Sequence, residues 1–203
     1  MRTLGILFAG FLVAALGPAD ARAATTQVIA SGSGASINTF FTSADGCIQI
    51  AVFMDPATSV TRGPNGSTGA GMDLSMFYND FCNDIFEFGF VTPSLTNEFQ
   101  LGNGNHSATL NVTVPITTFG EVDSHDRVVV ANVQLQATSD TSSANTQSRF
   151  TSGGQKDIMN GHSVSTVANL TGQISVDGLQ LLPAGFVTAE IDTSMSVSIF
   201  LTR

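Results

Sequence analysis

The stretch DLSMFYNDFCNDIFEFGF, residues 73–90, sets Cys82 between two aromatic-rich runs, in a chain of 203 residues with only 2 cysteines. Its flanks alternate with a period of two, the mark of strands with one face in a core and the other in water. Met72, Leu74, Met76 and Tyr78 fall on one face of the first strand. In the second, Phe86, Phe88 and Phe90 share a face opposite Glu87 and Gly89, and the phenylalanines are expected to point inward. YNDFCND (78–84) reads as the bend between them, since Asp and Asn close turns by bonding to nearby backbone.

The same alternation recurs along the chain. CIQIAVF (47–53) sets Ile48, Ile50 and Val52 on one face; ATLNVTVPI (108–116) sets Leu110, Val112, Val114 and Ile116 together. VVVANVQLQA (128–137) gives Val129, Ala131, Val133 and Leu135, and MSVSIFL (195–201) gives Met195, Val197, Ile199 and Leu201. Gly104 in GNGN and the Asp177-Gly178 pair suit tight hairpin turns, where positive φ is required. Pro115 inside an apparent strand implies an edge or a bulge, because it cannot donate to a ladder. No helical period competes. These features predict an all-β chain of about 8–11 antiparallel strands, arranged as a β-sandwich or, alternatively, a small closed β-barrel.

Two polar stretches, 55–71 and 139–162, read as long loops; Arg149 and Phe150 in the second are placed to pin it to the body.

Residues 1–23 have the layout of a cleavable export signal: Arg2, an apolar run from Leu4 to Leu16, then Ala21-Arg22-Ala23. That run is about 13 residues, short of the ~20 that a spanning helix needs. The mature domain is then 24–203, with no membrane span after leader cleavage, and its place is extracellular or periplasmic. Without Arg2, Arg22 and Asp20 the 7 basic and 16 acidic residues become 5 and 15, a net charge of −10. An acidic surface repels phosphate backbones and anionic headgroups, so nucleic acid is disfavoured as a partner and a protein or cell-surface partner stays open.

In an exported chain an even pair of cysteines without metal spacing reads most simply as one disulfide, Cys47–Cys82, the rival being two free buried thiols. Asp80 and Asp84 in the bend, and Glu121, Asp123, His125 and Asp126 in EVDSHDR (121–127), are the oxygen-rich clusters in which a calcium ion would be sought, against the plainer reading of Asx turns. No zinc spacing occurs, and no cofactor is implied beyond that possible Ca2+. His106, His125 and His162 are the only histidines, and no nucleophile elbow accompanies them; no catalytic residue is assigned.

In order along the chain, GCIQIAVF, LSMFYNDFC, FEFGF, HSATLNVTVPI, VVVANVQLQAT and SRFTSGGQ resemble a group of small secreted bacterial all-β proteins of unassigned function. The resemblance implies a fold and a compartment but no catalytic residues. The chain is also similar to chaperone–usher pilus subunits in Cys47, Cys82 and the apolar final strand SMSVSIFLTR. The expected function is a non-catalytic structural or binding module of the envelope or exterior; the alternatives are a pilus-like assembly subunit and a hydrolase whose site is assembled from distant loops.

Overall fold

The structure, a computed structural model, describes residues 24–63, 66–102, 104–121, 123–152, 155–182 and 185–202. The leader assigned to 1–23 lies outside them. Ten strands follow in order: β1 (Ala24–Thr42), β2 (Ile48–Arg62), β3 (Ser67–Asp80), β4 (Ile85–Val91), β5 (Phe99–Gly102), β6 (Ser107–Phe119), β7 (Ser124–Ser152), β8 (Gln155–Val176), β9 (Leu179–Gln180) and β10 (Phe186–Thr202). All pair antiparallel in one sheet, and because β10 pairs with both β1 and β8, the ladders β1-β2-β3-β4-β6-β7-β8-β10 form a closed circuit. The short β5 and β9 attach to β6 and β8.

The sheet folds around one apolar core, and the closing β10–β8 ladder, from Glu190–Val167 to Thr202–Gln155, lies mostly beyond it. Ile37, Ile50, Val52, Met54, Met72, Leu74, Met76, Leu110, Val112, Val114, Ile116, Val129, Val133, Leu135, Ile174 and Ile191 are all buried in it. Twelve of these are alternate residues of the runs quoted above; Ile37, Met54, Ile174 and Ile191 join them from positions that the pattern does not mark. Asp177 and Gly178, at φ 52° and 80°, make the β8–β9 turn, and Gly104 and Asn105, at 66° and 69°, the turn before β6. Pro115 pairs only toward β7, on the length of β6 between its ladders with β5 and β4, where no second neighbour asks for an N–H.

Three expectations are corrected. First, β4 is turned over: Glu87 and Gly89 face the core while Phe86, Phe88 and Phe90 are exposed. The reason is register. Met76 lies opposite Gly89 and Phe77 opposite Phe88, so the inward methionine face of β3 continues into Glu87 and Gly89. A side chain at 89 would start 2.8 Å from the Thr117 carbonyl and 2.9 Å from Ile116, so only glycine fits there.

Second, the stretches 55–71 and 139–162 are largely strand. Residues 57–62 pair with β1 and, up to 61, with β3, while 141–152 run beside 155–166. With 24–34 of β1 and 193–202 of β10 they extend the sheet beyond the core as six strands in the order β3-β2-β1-β10-β8-β7. Met195, predicted as core, is exposed there.

Third, Phe150 is 65% exposed and pins nothing.

Cys47 and Cys82 are bonded, their Cα atoms 5.2 Å apart, tying the start of β2 to the β3–β4 bend. Phe81 N donates to Cys47 O beside the bond, and Ile48 opposite Asp80 ends the β2–β3 ladder there. The bond joins positions 35 apart, and closing a loop of that length stabilises by roughly 3.5–4 kcal/mol in the chain-entropy account.

Candidate functional site

Since the core is filled by the inward residues, the outer surface carries what remains, and its two halves differ. On β6, β7 and β8 the outward residues of the body are mostly polar: Thr109, Asn111, Thr113, Asn132, Gln134, Gln136, Thr171 and Gln173 are all exposed, and Pro115, Val128 and Val130 are the apolar exceptions on this half. On β10, β1, β2, β3, β4 and the end of β6 the outward residues include a row of phenylalanines. Phe186 and Phe40 are registered partners with ring centres 6.5 Å apart. The row continues through Phe40–Phe53 at 5.5 Å, Phe53–Phe77 at 6.2 Å and Phe77–Phe88 at 4.8 Å, and Phe88 is registered against Phe119. Phe86 and Phe90 flank it on β4, and Phe81 from the bend meets Phe86 at 5.6 Å. Eight of these rings are 43–65% exposed. Ring pairs at such distances stabilise one another by about 0.5–1.5 kcal/mol, which orders the row, but their outer faces remain in water.

Sequence reasoning missed this face because it assigned aromatic residues to the core. The usable signal was the glycine and the carboxylate between the phenylalanines of FEFGF: together they mark the side of β4 where space is shortest.

Beneath the end of the row lies a polar cluster. Glu87 is buried, and its Oε2 accepts from Thr118 Oγ1 at 2.7 Å and Arg127 Nε at 2.8 Å. Arg127 also pairs with Asp177 at 3.0 Å and lies 3.6 Å over the Tyr78 ring, while Asp177 Oδ1 accepts from Val128 N. His125 Nδ1 stands 2.6 Å from Glu87 Oε1, out of line for a good hydrogen bond, and attracts it when the imidazole is protonated. Burial works to raise the Glu87 pKa; the hydrogen bonds from Arg127 and Thr118 and the charges of Arg127 and His125 outweigh it and hold the carboxyl below its ordinary range. Burial likewise works to lower Arg127, but Glu87 and Asp177 hold it above its ordinary value. The cluster sits where the circuit is thinnest: the β4–β6 ladder has only two registered pairs, Phe88–Phe119 and Gly89–Thr118. Side chains from β4, β6, β7 and the β8–β9 turn thus fasten a seam that backbone pairing alone leaves short.

A cleft of about 500 Å³ opens outside the cluster, lined by Asp84, Ile85, Phe86, Glu87, Gly120, Glu121, Asp123 and His125. The candidate calcium ligands separate here. Asp80 caps the bend, accepting from Cys82 N and from Asn83 N and Nδ2. Asp126 accepts from Thr117 Oγ1 at 2.8 Å. Asp84, Glu121, Asp123 and His125 do reach one cleft, but among the described residues no three His, Cys, Asp or Glu side chains are grouped to hold a metal ion. The histidines divide similarly. His125 has an acid but no serine lines its cleft; His162 lies among Ser31, Ser59, Ser163, Ser194 and Ser196 with Asn145 Oδ1 2.8 Å from its Nδ1 and no acid in that lining. No protein-family model, curated protein or solved structure matches this chain.

Proposed function

We propose that the chain is an exported, non-catalytic structural or binding module of the cell envelope or exterior, and that it binds through its phenylalanine face. The observation that supports this most is that the rings lie outside a core already filled without them. Large apolar side chains gathered on one half of a surface, with polar ones on the other, are the usual sign of an interaction face. The disulfide is consistent with an oxidising compartment. The outward polar residues of β6, β7 and β8 and the apolar interior are the reverse of a lipid-spanning barrel, which favours a module outside the bilayer. A subunit completed by a donated strand needs a long vacancy in its sheet, and the pairing of β10 on both sides from Glu190 to Thr202 lends that role less support than the face lends binding.

Expression with the leader in a bacterial host tests both parts. The expected product is an exported chain beginning at Ala24, with both cysteines refractory to alkylation until reduced. Phe77→Thr with Phe88→Thr is expected to stay folded at a cost of about 1–2 kcal/mol, well short of the ~3–5 kcal/mol for truncating a core aromatic. A full-length cytosolic product with two free thiols, or unfolding of the double variant, would falsify the proposal.

A further inference from the structure

The face needs an occupant, and we infer that it is a second copy of this chain, docked face to face about a two-fold axis; this rests on the binding role proposed above. Area is the first reason. Eight rings exposed by 43–65%, at the ~200 Å² that a phenylalanine presents, amount to on the order of 800 Å² of aromatic surface. That exceeds the ~300–600 Å² of the largest apolar patch on a typical monomer and matches the ~800 Å² that each partner contributes to a stable complex.

Chemistry is the second reason. The outward residues between the rings are Ala51, Ser75, Asn79, Thr117 and Thr188, all uncharged. A basic partner finds no carboxylate between the central rings, the acids of the cleft standing beside Phe86 at one edge, and anionic headgroups meet Asp55 and Asp73, paired side by side at the rim. A second copy presents the same rings and the same small gaps at Ala51 and Ser75. An isologous contact lets each ring row settle beside the other, as two sheet faces do at ~10 Å. Because both copies are acidic, the contact forms against a long-range repulsion that salt screens.

Sedimentation of the oxidised mature chain across micromolar concentrations, at low and high salt, is the test. The expected result is a reversible dimer whose dissociation constant falls several-fold as salt rises. Ser75→Glu, which puts a charge among the rings, should weaken it by about tenfold or more, whereas Gln134→Glu on the polar half should act no more than slightly. Phe77→Thr with Phe88→Thr should also yield a folded monomer. A wild-type monomer throughout, or a dimer equally sensitive at 75 and 134, overturns the inference. So does a dimer that ignores both face variants, whose interface then lies elsewhere. Flotation with phosphatidylcholine vesicles, lost in Ser75→Glu, would assign the face to lipid instead; it would overturn self-association while leaving the binding role intact. Unfolding of the phenylalanine variant would remove both.

Discussion

The body and the six-strand extension are lengths of the same strands, held together by different forces. In the body the inward face of β2 is Ile50, Val52 and Met54 and that of β3 is Met72, Leu74 and Met76, each no more than 2% exposed. In the extension one outward row crosses all six strands as Gly69, Ser59, Gly32, Ser194, Ser163 and Ala144, and the 141–150 stretch of β7 is exposed on both faces. Burying a Leu, Ile or Met contributes about 1.5–3 kcal/mol. A main-chain hydrogen bond nets only about 0.5–1.5 kcal/mol, against about 1–2 kcal/mol to order each residue. The body is therefore stabilised by side chains and the extension by continuity with the body. Backbone pairing sets the direction of a strand; packing decides how firmly it stays.

The sharpest way to break that contrast is one truncation at each end. Leu74→Ala in the body is expected to cost about 3–5 kcal/mol by denaturant unfolding, and Val164→Ala on β8 of the extension under about 1 kcal/mol. Equal losses would show that the extension has a core of its own.

Next in size is the seam. Arg127→Met leaves the buried Glu87 carboxylate without its main counter-charge, and a loss of about 3 kcal/mol is expected at neutral pH. Because the folded-state pKa of Glu87 is lowered, its contribution is present above the unfolded carboxylate range and fades as pH falls through the folded value. The gap between wild type and variant should therefore narrow on acidification; a gap independent of pH would remove Glu87 from the account.

The smallest effect lies at the junction, where Asp192 follows Ile191, a buried side chain of β10. Burial first, and then the charges of Glu190 and Asp55, raise its pKa, with the Ser165 hydroxyl opposing. A raised carboxylate costs stability above its folded pKa and is relieved as pH falls below it. Asp192→Asn is expected to stabilise by roughly 0.5 kcal/mol at neutral pH, solvent screening discounted, and to be neutral in acid. A loss at neutral pH would mean that the charge is used.

Much of this was legible in the residues. Alternation located the body strands, and Cys47, Cys82, Asp177 and Gly178 marked the staple and the tightest turn. What was hidden follows from rules that depend on partners. The face of β4 is decided by Gly89 meeting Thr117 and by Arg127 reaching Glu87 from 40 positions away, and no window on β4 alone contains either. The extension was hidden because Ser, Thr, Gly and Asn name turns as readily as exposed strands, and only pairing to β1, β8 and β10 tells them apart.

Ala24 pairs with Thr202. The ladder that closes the circuit therefore joins the two ends of the described chain, the costliest contact to form early, since all the intervening sequence must be looped out. With the nine earlier strands in place and β10 unpaired, the sheet is open. The sheet is complete only when β10, the last of the described strands, is free to pair, so the module's stability arrives with its final ladders and not strand by strand.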